Sequence, residues 1–155
     1  MADQVDALVD ELYAMITPLE EQGLLDEQFT VNYEMKPDDG SMHFIELVQS
    51  FHNNIQRAMT DLAIALEHPS VNYTDIREHH AKIKRIVSSF GASALNLPLE
   101  VLRLGVASSS KEECDFALLR IHQEYHKLRP HLDTIIELER RIVDLDHNLR
   151  GPGEN

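Results

Sequence analysis

Apolar residues return to one helical face over two long stretches of this chain, a periodicity that favours packed helices over any sheet. From Ser41 to Leu66, the residues Phe44, Leu47, Val48, Phe51, Ile55, Ala58, Met59, Leu62 and Leu66 keep one side inward across about seven turns. A second run comprises Leu118, Ile121, Tyr125, Leu128, Leu132, Ile135, Ile136, Leu138, Ile142, Leu145 and Leu149. Only Pro130 interrupts it, and that proline is expected to kink the helix or split it. No segment alternates apolar and polar residues as a half-buried strand would, and no repeat or low-complexity tract occurs.

Shorter helices fill the remainder. Val5, Leu8, Val9, Leu12 and Ile16 predict a helix from about Ala2 to Ile16. Thr17, Pro18 and Glu20 then have the N-cap, N1 and N3 chemistry of a short second turn that Gly23 stops. Asp26 caps the next helix, Glu27 to about Met35, and Lys36 to Gly40 (KPDDG) has turn chemistry. Pro69 closes the long helix, Asn72 caps one that reaches about Phe90, and a further segment to about Ala107 must start late or bend at Pro98. Ser110 and Glu113 form a capping box for the last helix. The expected fold is all-α, an antiparallel four-helix bundle core with additional short N-terminal helices. It is expected to be one domain over residues 1–150 with a flexible tail, GPGEN, at 151–155.

A chain of 155 residues buries roughly two thirds of its unfolded surface and needs neither disulfide nor metal to hold a core. Its formal charge of −13 repels phosphate backbones and anionic lipid, so neither nucleic acid nor membrane is expected as a partner. A single cysteine, Cys114, fits a reducing compartment and a buried helical position. The amino terminus, MADQVDALVDEL, carries acids where a secretory signal carries bases, and no apolar run reaches membrane-spanning length. A soluble intracellular monomer is the expectation.

Candidate chemistry is sparse. No strained nucleophile turn and no Gly-rich phosphate cradle is present, which disfavours an ordinary hydrolase or kinase and implies no cofactor. His122 and His126 share a helical face, but no Glu follows His122 and no third ligand is indicated, so no metal site is expected. In Ile76 to Ala92 (IREHHAKIKRIVSSFGA), Ile76, Ile83, Val87 and Phe90 form the buried stripe, with Ile86 at its edge and His79 and His80 flanking it. The opposite line is Arg77, Ala81, Lys84 and Ser88.

These residues resemble the plant histidine-containing phosphotransfer proteins, which shuttle phosphoryl groups in cytokinin phosphorelays. The resemblance covers nearly the whole chain: GLLDEQF from Gly23, the long helix ending in EHP at Glu67 to Pro69, VNY from Val71, and IIELERRI from Ile135. The family motif, approximately His-Gln-Leu-Lys-Gly-Ser-Ser-x-x-x-Gly-Ala, aligns without a gap on AKIKRIVSSFGA. Ile83, Lys84, Gly91 and Ala92 agree, but the phospho-accepting histidine becomes Ala81, the glycine Arg85, and two serines Ile86 and Val87. A methyl group can neither attack an acyl phosphate nor hand a phosphoryl group on.

The resemblance therefore implies a pseudo-phosphotransfer protein rather than an enzyme, cytoplasmic and nuclear. It would dock response-regulator receiver domains and hybrid sensor histidine kinases through Arg77, Ala81, Lys84, Arg85 and Ser88, and so inhibit the relay. Two alternatives stand beside it: an active mediator in which His79 or His80 accepts the phosphoryl group after a local register shift, and a structural bundle that has lost receiver binding.

Overall fold

The computed structural model describes residues 2–37 and 42–150, and within them every regular element is helical. In chain order these are α1 (Ala2–Glu21), α2 (Glu27–Glu34), α3 (His43–Glu67), α4 (Tyr73–Phe90), a 3-10 turn (Ser93–Leu95), α5 (Asn96–Ala107) and α6 (Lys111–Arg150). The short connections make successive helices antiparallel neighbours. Helices α3, α4, α5 and α6 each pack on the next in a closed ring, α1 lies along α6, and α2 abuts α4. That is the expected all-α bundle. Residues 38–40 of the expected turn from Lys36 to Gly40, the helix start at Ser41 and the tail 151–155 lie outside the described residues.

Three prolines behave differently from expectation. Helix α1 does not end at Ile16 but runs twenty residues, through Pro18 to Glu21, so no separate second turn exists and α1 is not short. Proline inside a helix costs about 3 kcal/mol. Leu12, Ile16 and Leu19 all bury on one face of α1, at roughly 1.5–3 kcal/mol each, and straightness keeps all three inward. Pro130 likewise fails to split α6, a continuous 40-residue helix with Leu128 and Leu132 fully buried on either side of it. Pro98 sits in the first turn of α5, where a missing N–H has no intrahelical partner to lose, so the helix starts before it. The apolar pattern of α6 overstates its burial at the end, since Leu149 is 37% exposed.

The caps follow the sequence more closely. Asp26 accepts from the Gln28 amide at 2.9 Å, and Asn72 accepts from the Thr74 and Asp75 amides. The capping box at α6 is only half formed. Ser110 Oγ accepts from the Glu113 amide at 3.2 Å, whereas the Glu113 carboxylate accepts from Ser108 Oγ, because the Ser110 amide already donates to the Gly105 carbonyl.

A latch fixes the end of α4. Gly91 ends it at φ 93°, a left-handed cap that L-residues rarely adopt. Its carbonyl accepts from the Asp26 amide at 2.9 Å, and a β-carbon there would stand 2.5 Å from the Phe29 amide nitrogen. Asn32 Nδ2 donates to the Ser89 carbonyl, the Ala94 amide to the Leu24 carbonyl, and Ser93 Oγ to the Gly23 carbonyl. Beneath the latch, Phe90 stacks on Phe51 at 3.9 Å and meets Phe29 edge-on at 5.3 Å. Helices α5 and α6 approach just as closely, with a β-carbon at Gly105 falling 3.0 Å from the sulfur of the fully buried Cys114.

Among the described residues one charge is fully buried. Glu139 of α6 accepts from Lys36 Nζ at 2.6 Å and from the Tyr33 hydroxyl at 3.1 Å, which joins the end of α2 to α6. The Tyr33 hydroxyl is correspondingly held far above the usual phenol range, by burial first and by the Glu139 charge second.

Two substitutions measure these joints. Gly91→Ala should lower unfolding free energy by about 2–4 kcal/mol in urea titration, from left-handed strain and the clash with Phe29. Lys36→Met strands a buried carboxylate and should cost about 3–5 kcal/mol, while Lys36→Met with Glu139→Leu should recover most of the loss.

Candidate functional site

The middle of α4 presents the candidate residues on three sides. Its buried stripe is Ile76, Ile83, Val87 and Phe90, as the periodicity predicts. Arg77, Lys84, Arg85 and Ser88 are exposed, and Ala81 lies among them, half-buried rather than fully exposed. Its methyl group is shorter than the side chains that stand three and four residues away on the same face.

The cations around Ala81 are not equivalent. Lys84 Nζ donates to Asn96 Oδ1 at 2.9 Å and is drawn toward the start of α5. Arg77 lines a cavity between α4 and α5 with His80, Arg103, Val106 and Ala107. Arg85 turns to the opposite side and lines a cavity between α3 and α4 with Asn54, Arg57, Lys82 and Ile86. Among the described residues neither Arg77 nor Arg85 makes an ion pair; Lys82 approaches Asp61 at 4.0 Å. Six of the chain's 14 basic residues thus collect on this rim of an otherwise acidic molecule.

The two histidines are placed on opposite flanks of the stripe and both are half-buried. His80 faces α5, where its Nε2 lies 3.1 Å from the Leu99 carbonyl. A carbonyl only accepts, so Nε2 carries the proton and its lone pair is unavailable to an electrophile. Burial, aided by Lys84, lowers the His80 pKa even though the Leu99 bond opposes it, and the ring is neutral at pH 7. Helix α4 runs unbroken from its Asn72 cap to its Gly91 cap.

The other sequence-derived candidates lie away from this face. His122 and His126 do share a face of α6, with ring centroids 6.3 Å apart, but among the described residues no group of three His, Cys, Asp or Glu could hold a metal. Cys114 is buried against Gly105, and burial raises its thiol pKa. Among the described residues no helix is long and apolar enough to cross a membrane.

Five polar partners of the site went unrecognised in the sequence: Arg57, Asn54, Lys82, Asn96 and Arg103. Asn54, Arg57 and Asp61 share a polar stripe of α3, a signal visible on the helical wheel, and the short connection after Glu67 returns α4 beside it. The tie between Lys84 and Asn96 has no such signal, because it depends on where the 3-10 turn delivers α5.

No model of a protein family matches the chain. It is 28% identical over 141 residues to histidine-containing phosphotransfer protein 2 of Oryza sativa subsp. japonica, covering 90% of this chain and 95% of that protein. The crystal structure of a histidine-containing phosphotransfer protein from Medicago truncatula superposes with a TM-score of 0.77 at 28% identity, covering 88% and 93% of the two chains. In both sequence and fold the chain is thus similar to plant histidine-containing phosphotransfer proteins. Relatives named as pseudo proteins also occur: pseudo histidine-containing phosphotransfer protein 2 of Oryza sativa subsp. japonica is 25% identical over 128 residues, 82% of this chain and 84% of that one.

The histidines predict a pH dependence. His52, His80 and His122 all have pKa values lowered from the ordinary 6.5, each chiefly by burial. The unfolded chain therefore binds more protons below about pH 6.5, and their contribution to stability, complete above that pH, is lost as pH falls. Urea midpoints should drop between pH 7.5 and pH 5, and His80→Gln should flatten part of that slope.

Proposed function

We propose that this chain is a pseudo-phosphotransfer protein of a plant His-to-Asp phosphorelay. As a single helical domain it docks response-regulator receiver domains, and hybrid sensor histidine kinases, through Arg77, Ala81, Lys84, Arg85 and Ser88 on α4. It carries no phosphate, competes with active family members for those partners, and so inhibits cytokinin signalling as a monomer in the cytoplasm and nucleus.

One observation carries this proposal: the motif position that holds the phospho-accepting histidine in the family is Ala81, on the face of an intact α4. The nearest imidazole does not replace it, since His80 projects toward α5 with its Nε2 committed to the Leu99 carbonyl. Docking itself is supported by charge. Basic residues concentrated on one rim of a chain with net charge −13 give that rim a local field suited to an acidic receiver pocket. Resemblance to relatives named as pseudo proteins supports the same conclusion.

Incubation with a phosphorylated receiver domain should leave the chain free of acid-labile phosphate, while the receiver binds measurably and Lys84→Ala weakens it several-fold. Phosphate on His79 or His80 would overturn the proposal in favour of an active mediator, and absence of binding in favour of a structural bundle. Ala81→His alone should not restore transfer, because Arg85, Ile86 and Val87 still occupy the places of a glycine and two serines. Transfer at the rate of an active family member in that single variant would show these three to be immaterial.

A further inference from the structure

The cavity between α3 and α4, about 320 Å³ and one helical turn from Ala81, is ringed by three cations: Arg57 from α3, with Lys82 and Arg85 from α4. We propose that it holds the phosphoryl group of a phosphorylated receiver without accepting it, so that this chain reads the phosphorylated state instead of relaying it. The inference rests on receiver docking through α4.

The composition of the cavity is the first support. Two guanidinium groups and one ammonium face a shared space with only Asp61 near them, 4.0 Å from Lys82. Arg57 and Arg85 have no carboxylate partner among the described residues. Like charges brought together without a counter-ion repel, a cost that an arriving dianion converts to attraction. Guanidinium forks also match the geometry of phosphoryl oxygens.

The position of the cavity is the second support. Lys84, the lysine beside Ala81, is tied to Asn96 on the α5 side, while the uncommitted Arg85 points to α3. Uncommitted positive charge therefore lies in the α3 groove, where Arg85 joins Arg57, as well as at Arg77 on the α5 side. Asn54 adds an amide at the rim and Ile86 an apolar side chain, and both also border the adjoining groove lined by Leu47, Ser50, Phe51, Ser89 and Phe90. No bond is made or broken. The acyl phosphate stays on the receiver, and the cations bind its oxygens.

Binding of the full chain to a plant response-regulator receiver domain, with and without the acyl-phosphate mimic beryllofluoride, tests this. The beryllofluoride form should bind at least about tenfold tighter, the worth of a single charge-assisted hydrogen bond. Arg57→Gln with Lys82→Gln, both exposed positions, should remove the preference, so that the two receiver forms bind equally, with the far-UV helical signal unchanged. Equal affinity for the two receiver forms would overturn the inference and leave receiver docking intact. Binding to neither form would overturn docking itself. Inorganic phosphate alone should not perturb the chain at millimolar concentration. If it does, and the beryllofluoride form gains nothing, the cavity is a site for the free anion and the inference is again overturned.

Discussion

The fold depends on burial of one long apolar stripe on α6. From Cys114 through Ala117, Ile121, Tyr125, Leu128, Leu132 and Ile135 to Ile142, that stripe is withdrawn from water, against α5 early, α3 along the ring and α1 beside it. At roughly 1.5–3 kcal/mol for each large side chain, the gain far exceeds the local cost of Pro130. The same balance explains α1 and Pro18. In both cases continuity of a buried face decides the helix boundary, and backbone chemistry yields to it.

Against that spine, the orientation of α4 is set at its two ends. Asn72 begins the helix and Gly91 ends it, and contacts from α2 and the loop before it hold the far end in place. Motif agreement at Gly91 and Ala92 thus has a structural cause: the first allows the left-handed cap and the approach of Phe29, and the second is fully buried. Because the ends are fixed, the rotation of the helix is fixed. Ala81 and its cationic neighbours face outward whether or not any chemistry occurs there.

Much of this was legible in the sequence, for reasons specific to each element. The periodicity of α3 and α4 identified their buried faces because both helices are amphipathic and contain no proline. The caps at Asp26 and Asn72 were legible because one side-chain oxygen satisfies nearby amides whatever the tertiary context. Expectation failed where tertiary burial overrode a local signal, as at Pro18 and Pro130, and where two acceptors competed for one donor, as at Ser110. In the site, helical phase placed His80 toward the core, but the Leu99 carbonyl that engages it comes from another helix 19 residues on. Ala81, on the line opposite the buried stripe, is half-buried because wheel position says nothing of the height of its neighbours.

The close approach of α5 to α6 has a consequence of a different kind. Gly105 lets the helices come near enough that the only thiol of the molecule is wholly enclosed. Burial and the neighbouring carboxylates of Asp115 and Glu113 both raise its pKa, keeping it protonated and out of reach of peroxide. Oxidation chemistry in the cell, which alters many proteins through an accessible thiolate, has no such handle in the folded chain.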